Sequence, residues 1–325
     1  MSQSTVTYRE VLEVREYRSL FVAWGLSLAG DQMAKIALSF LVDSLQIRYG
    51  GVAANIAFGM GSLGLRPLLV GTVGADFGEY REWLETHGVD TSSVRVSAVH
   101  HTGRFISTTD TDLNHFASFY PGAMTEDQDI DLGELAGSVD LVLIGASDPD
   151  AMRNFTRQCR KHGIAFAADT SWQLARMEGE QVRDLVDGAA YLFCNEYECT
   201  LTERKSGWTP DEVTAHVGVK VTTLGAAGAR VDRVGEEPIL VPPITGVQPV
   251  EPTGAGDAFR SGFLAATHWG LSLERAAQLG NLMAVQALEA VGPQDYELEP
   301  EPLAKRFAAV YGAEAAGEIT EHYSV

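Results

Sequence analysis

The stretch Glu251-Pro-Thr-Gly-Ala-Gly-Asp-Ala-Phe-Arg-Ser-Gly262 carries the strongest chemical signal in this chain. It starts with residues that resist helix and runs into a strong helix-forming segment through Leu264. Thr253, Gly254, Ala255 and Gly256 are therefore expected to form a tight turn that opens a helix. Such a turn presents unpaired backbone N–H groups at the positive end of the helix dipole, which suits an anion. Asp257 falls on the first helical turn beside that anion. A carboxylate there can take a proton from a hydroxyl that attacks a phosphoryl group. Read alone, the four residues GxGD are equally a glycine turn with Asp257 as a helix cap.

A second glycine turn, Gly50-Gly-Val-Ala-Ala-Asn55, feeds a helix whose Ala53, Ala54, Ile56, Ala57 and Phe58 are small or apolar packing residues. Within that helix, Gly59-Met-Gly-Ser-Leu-Gly64 matches GxGxxG. A dinucleotide fingerprint must follow a strand and open a helix, whereas this one closes a helix and precedes the strand Leu68–Val73. It is rejected on that ground.

The elements that must hold these turns follow from the pattern of apolar runs. Strands are expected at Leu141–Gly145, Ile164–Ala168, Tyr191–Asn195 and Val219–Gly225, with helices between them over Asp150–His162 and Gly179–Asp187. Apolar strands separated by helices indicate an α/β fold with a mostly parallel sheet flanked by helices. Ligands then belong at the carboxyl ends of strands, where Asp169, Asn195, Glu198, Thr223, Gly225 and Gly228 fall. Residues 94–124 alternate like strands, with Phe105 and Phe119 as aromatic candidates for gripping a flat ligand. Helices are expected over Leu273–Val291 and, closing the chain, over Leu303–Ala316, with Arg260 and Asn281 as further candidates for lining the pocket.

Composition narrows the partners. The chain has 325 residues, 24 Lys and Arg against 44 Asp and Glu, and a net charge of −20. That balance argues against nucleic acid and against an acidic membrane surface, since phosphate backbones are held by Lys and Arg. An anionic nucleotide must be met by local N–H groups and a metal ion. Cys159, Cys194 and Cys199 are odd in number without CxxC spacing, which argues against a disulfide framework or a zinc site and points to a reducing cytoplasm. The apolar run Leu20–Ala29 is too short to span a bilayer, and no cleavage site follows a basic start.

Pro252-Thr-Gly-Ala-Gly-Asp257 resembles the C-terminal signature of the ribokinase (PfkB-type) sugar and nucleoside kinases, and Gly50-Gly-Val-Ala-Ala-Asn55 resembles their upstream signature in the right order. The family usually has Asp where this chain has Glu251. The resemblance implies a ribokinase-like fold over 38–316, with the strands at about 94–124 as a small β-sheet lid and 317–325 as a tail. It implies ATP and Mg2+ as cofactors. Asn195-Glu-Tyr-Glu198 resembles the N-x-x-E motif that orders magnesium and phosphate through water. Thr223-Leu-Gly-Ala-Ala-Gly228 resembles the nucleotide loop, although it also reads as a plain hairpin turn. The stretches Phe116–Met124, Ala165–Arg176 and Ala189–Glu198 look like the bacterial adenosine kinases of this type.

Carried over, Asp257 is the base for the ribose 5′-hydroxyl, and the N–H groups of Gly254, Ala255 and Gly256 hold the transferring phosphoryl. Ser39, Gly51, Asn55, Phe105, Phe119 and Gln173 hold adenosine, while Asn195, Thr223, Gly225 and Gly228 serve ATP and its magnesium, with Glu198 reaching the metal through water. Trp172 departs from the polar residue expected before Gln173. The reading is phosphorylation of adenosine to AMP. Its alternatives are a ribose or related sugar kinase, or a nucleotide-binding protein with impaired catalysis. A homodimer through the lid sheet is also expected.

Residues 1–37 depart from the family. They resemble the start of a major facilitator transporter and lack the first strand and its hydroxyl-binding Asp. Either a foreign start replaces that strand, or a divergent helix packs on the same core. In both cases Leu20–Ala29 is expected to be a helix, with poor adenosine binding if the strand is gone.

Overall fold

Strands β5 (Val142–Ile144), β6 (Phe166–Asp169), β7 (Tyr191–Asn195), β8 (Val219–Thr223), β9 (Ala229–Asp232) and β10 (Ile239–Val241) form one sheet in the order β10-β9-β8-β7-β6-β5. The computed structural model describes residues 46–109 and 115–323. The chain divides into two units, Met1–Arg48 and Tyr49–Val325, and all elements named here belong to the second. Ser39, the atypical start over 1–37 and the apolar run Leu20–Ala29 lie outside the described residues.

β5 to β8 run parallel, and β9 and β10 are antiparallel additions at one side. The parallel strands are buried on both faces because side chains alternate between two cores. Phe166, Ala168 and Leu192 enter one core, while Ala167, Phe193 and Val221 enter the other. The first core is closed by α3 (Pro149–His162), α4 (Gly179–Val186) and α5 (Glu196–Ser206), through Met152, Val182, Leu185 and Leu201. The second is closed by α1 (Val52–Ser62), α7 (Ala255–His268) and α8 (Leu273–Leu288), through Phe58, Phe263 and Leu282. The result is the three-layer α/β arrangement expected from the run pattern. The remaining helices are α2 (Gly78–Thr86), α6 (Pro210–Ala215), α9 (Pro300–Tyr311) and α10 (Ala313–Thr320).

Two small sheets stand apart. β1 (Gly71–Val73) pairs in parallel with β2 (Val94–Val96). Asp127 ties this pair to the end of β5: its Oδ1 accepts from the Thr72 N–H at 2.8 Å and its Oδ2 from the Ser147 hydroxyl at 2.6 Å. β3 (Arg104–Thr109) and β4 (His115–Tyr120) form an antiparallel ribbon in which Phe105 lies directly opposite Phe119. Both rings are therefore on one face of the ribbon. Neither belongs to a sheet core, since Phe105 is 67% and Phe119 36% exposed.

Three expectations are corrected. The single closing helix over Leu303–Ala316 is two helices, α9 and α10, broken at Gly312, whose φ of 92° leaves the helical region. Residues 317–320 continue α10, so the tail expected from 317 begins inside a helix. The cysteines, moreover, are not all free thiols: Cys194 and Cys199 form a disulfide, and Cys159 is free and buried. The spacing hides a corner, because β7 ends at Asn195 and α5 begins at Glu196. The chain turns there, and the two Cα atoms come within 5.6 Å, a distance that a disulfide spans.

Candidate active site

The helix α7 begins as the glycine turn requires. Gly254 caps it with φ 84°, a left-handed conformation that glycine adopts without strain. A Cβ there would also sit 2.4 Å from Pro293 Cβ, so no other residue fits. Among the described residues, the N–H groups of Gly254, Gly256 and Asp257 have no partner, whereas Ala255 donates weakly to the Pro252 carbonyl at 3.3 Å. The expected set of Gly254, Ala255 and Gly256 is thus shifted: two of the three are open, and the third open group is that of Asp257. Three open donors at a helix N-terminus suit an anion.

Asp257 is held from the neighbouring helix. Asn55 Nδ2 donates to Asp257 Oδ2 at 2.8 Å. This bond spans α1 and α7, which cross closely because Gly59 has no side chain: a Cβ on it would lie 2.3 Å from Ser261 Oγ. Asn55 and Gly59 are one turn apart on α1, as Asp257 and Ser261 are on α7. The first two glycines of the rejected GxGxxG therefore serve close packing, Gly59 against Ser261 and Gly61 against the His87 carbonyl, while Gly64, at φ 85°, faces open space after the helix.

Behind Asn55 lies a relay that sequence reasoning missed. Gln294 Nε2 donates to Asn55 Oδ1 at 2.9 Å and to the Tyr80 hydroxyl at 2.6 Å, while Trp83 Nε1 donates to Gln294 Oε1 at 3.1 Å. Tyr80 in turn donates to the Gly50 carbonyl at 3.0 Å. The Asn55–Asp257 bond joins the two glycine signatures, and this buried glutamine braces its Asn55 end. Its only sequence signal is a position after Gly292-Pro293, which no motif marks.

On its other side Asp257 faces charge. Arg260 Nη1 is 3.9 Å from Asp257 Oδ1, and Arg260 Nη2 donates to Asp169 Oδ1 at 2.6 Å. Burial pushes Asp257 above the ordinary carboxylate range, opposed by the Arg260 charge and the Asn55 hydrogen bond, with Glu198 adding to the rise. Burial likewise pushes Asp169 up to about 7, again opposed by Arg260.

Asn195 and Glu198 lie at the N-terminus of α5 and cap it reciprocally. Glu198 Oε2 accepts from the Asn195 N–H at 2.9 Å, and Asn195 Oδ1 accepts from the Glu198 N–H at 2.8 Å. This pairing alone explains their spacing. Thr223, Gly225 and Gly228 form the hairpin between β8 and β9, the plain reading of that loop. Gly228 is fixed by packing, since a Cβ would lie 2.1 Å from the Val241 carbonyl oxygen. Gly225, at φ 57°, faces open space. Gly51 caps α1 at φ 110° and is equally open.

The aromatic side of the site lies at the end of β6. Ser171 is the only non-glycine residue with positive φ among the described residues, at 46°. This strained turn presents Trp172 against Phe119, edge to face at 5.4 Å between centroids. Gln173 is fully buried, donates to the Ser147 carbonyl at 2.6 Å and leaves Oε1 without a partner. Asn281 is buried, where it donates to the Pro242 carbonyl at 3.0 Å and to the Tyr311 hydroxyl at 3.2 Å. Among the described residues, no helix is long and apolar enough to cross a membrane.

Open N–H groups at a helix end with a carboxylate in its first turn, at the carboxyl edge of a mostly parallel sheet, are the parts that phosphoryl transfer uses. Residues 29–300 match the pfkB family of carbohydrate kinases, and the chain belongs to that family. A nucleoside kinase from Methanothermobacter thermautotrophicus is 29% identical over 87% of this chain and 92% of its own. The structure of Burkholderia thailandensis nucleoside kinase in complex with inosine superposes with a TM-score of 0.79 and 30% identity, covering 84% of this chain and 91% of that one. Adenosine kinase from Sinorhizobium meliloti superposes with a TM-score of 0.67 and 25% identity, covering 82% and 85%.

Proposed function

We propose that the protein transfers the γ-phosphoryl group of ATP to the 5′-hydroxyl of a purine nucleoside, adenosine first among them. The observation that carries this reading is Asp257. Its Oδ2 is occupied by Asn55, and its Oδ1 accepts no hydrogen bond among the described residues. Oδ1 takes the proton of the nucleoside hydroxyl as that oxygen bonds to phosphorus. The bond from phosphorus to the bridging oxygen breaks, and ADP leaves. The open N–H groups of Gly254, Gly256 and Asp257 balance the charge on the transferring group. Mg2+, when bound with the nucleotide, would supply shielding of the phosphate charge. Among the described residues no three carboxylates, histidines or cysteines cluster to hold a metal. That donor set suits an ion that arrives on the nucleotide, with Glu198 reaching it through water. Gly225 leaves room for nucleotide backbone contacts on the hairpin side.

A nucleoside is favoured over a free sugar by the aromatic side. Phe105, Phe119 and Trp172 offer exposed ring surface, which the flat face of a base covers more fully than a free pentose does. The inosine complex of the Burkholderia enzyme supports the same choice. Among the described residues the β3–β4 ribbon pairs with no further strand, which also supports a homodimer through the lid. Initial rates with MgATP and adenosine, inosine or ribose test the proposal. Adenosine is expected to give the highest kcat/KM. A higher value for ribose would move the chain to the sugar kinases.

A further inference from the structure

We infer that Asp169 and Arg260 form a positioning pair, in which Asp169 restrains the Arg260 guanidinium near Asp257 without letting it occupy the proton-accepting oxygen. The inference rests on the kinase reading and assigns roles to two residues that lie outside the signatures Gly50–Asn55 and Pro252–Asp257.

The geometry is specific. Arg260 uses Nη2 for a single short bond to Asp169 Oδ1, and Asp169 Oδ2 and Arg260 Nε have no partner among the described residues. A guanidinium and a carboxylate free to choose would pair through two parallel bonds. Here the fork is turned so that Nη1 points toward Asp257 Oδ1 yet stops at 3.9 Å. That distance carries electrostatic attraction but no hydrogen bond. Three neighbours hold the turn. Asp169 is fully buried at the end of β6, the Phe193 ring lies 6.0 Å from the guanidinium carbon, and Gly256 leaves the space that Nη1 fills. A Cβ on Gly256 would lie 2.8 Å from Nη1, so this glycine also admits the cation.

The arrangement suits a base. A buried carboxylate holds its proton too tightly unless a cation offsets the desolvation, and a cation bonded directly to its lone pair would block the hydroxyl. The ionisable groups facing Asp257 are Arg260 on its own helix, Glu198 on α5, Asp169 on β6 and Tyr296 after α8; Asn55 on α1 is its neutral partner. Arg260 is the one cation in this set, set against two other carboxylates.

The two halves of the pair predict opposite signs. Arg260→Gln removes the cation, so the acid limb of kcat/KM should move up by about 1–3 pH units, with activity near neutrality down at least about tenfold and recovering as pH rises. Asp169→Asn frees the fork to bond Asp257 directly. The limb should then move down, and kcat should fall at all pH values. The double variant does not leave Asp169 buried without its cation and should keep the upward move, which guards against misfolding of the Arg260→Gln variant. Carboxyl carbon NMR of Asp257, followed against pH without substrate, reads the same shifts independently of any kinase assay. A wild type inactive on every nucleoside and sugar would sink the function and leave these NMR shifts testable. Unmoved Asp257 titration in Arg260→Gln and in the double variant, with activity lost equally at every pH, would overturn the positioning pair.

Discussion

Replacing Asp257 by Asn keeps the size and the Asn55 contact of this side chain but removes its capacity to accept a proton. The turnover rate should drop by roughly 10²–10⁴, while ATP binding measured by calorimetry stays near that of the wild type. More than about a tenth of the wild-type rate would remove Asp257 from the mechanism. Burial raises its proton affinity, so in the wild type the active, ionised fraction grows with pH above the ordinary carboxylate range. The same shift acts on stability with the opposite sign: a carboxyl that binds its proton more tightly when folded favours the fold at low pH and loses that contribution as pH rises. At this scale the sequence was informative where a motif constrained it. Asp257, Asn55 and the glycine turns could be named because a turn, a helix start and an acid at fixed spacing have a physical meaning. Gln294, Tyr80 and Trp83 could not, because their roles come from contacts across more than two hundred residues of chain, between Trp83 and Gln294.

Among the elements, the crossing of α1 and α7 decides whether Asn55 meets Asp257. Gly59→Ala tests that crossing. Its Cβ would press on Ser261 and on the Tyr296 hydroxyl at 2.8 Å, forcing the helices apart. Overpacking of this kind costs about 1–3 kcal/mol, so Tm should fall by several degrees. kcat should fall with it, since the Asn55 bond would lengthen. An unchanged kcat beside a lowered Tm would show that the site tolerates the displacement. Strands and helices were mostly legible, because runs buried on both faces and capped helices leave strong patterns. Tyr191–Asn195 was read to the residue. The closing helix was misread because α9 and α10 are both amphipathic and only the backbone of Gly312 separates them. The disulfide was missed for a related reason: Cys194 and Cys199 lie in two different elements, and their proximity comes from the turn between them.

For the whole molecule, the excess of 44 acidic over 24 basic residues sets a field that repels nucleotide. The KM for MgATP should therefore fall as salt rises from ~10 mM to ~150 mM, over which the screening length shrinks from about 30 Å to about 8 Å. A steep rise instead would mean that local cations at the mouth of the site dominate. One architectural feature adds a further consequence. Among the described residues the β3–β4 ribbon belongs to neither of the other sheets, and its six residue pairs lie between its own strands. Opening it requires no loss from the two cores that set the heat of unfolding. Calorimetry thus follows the layered body, whereas amide exchange in the ribbon follows a separate and smaller free energy. A ligand that stacks on Phe105 and Phe119 would slow that exchange first, before it moves the melting temperature by a comparable amount.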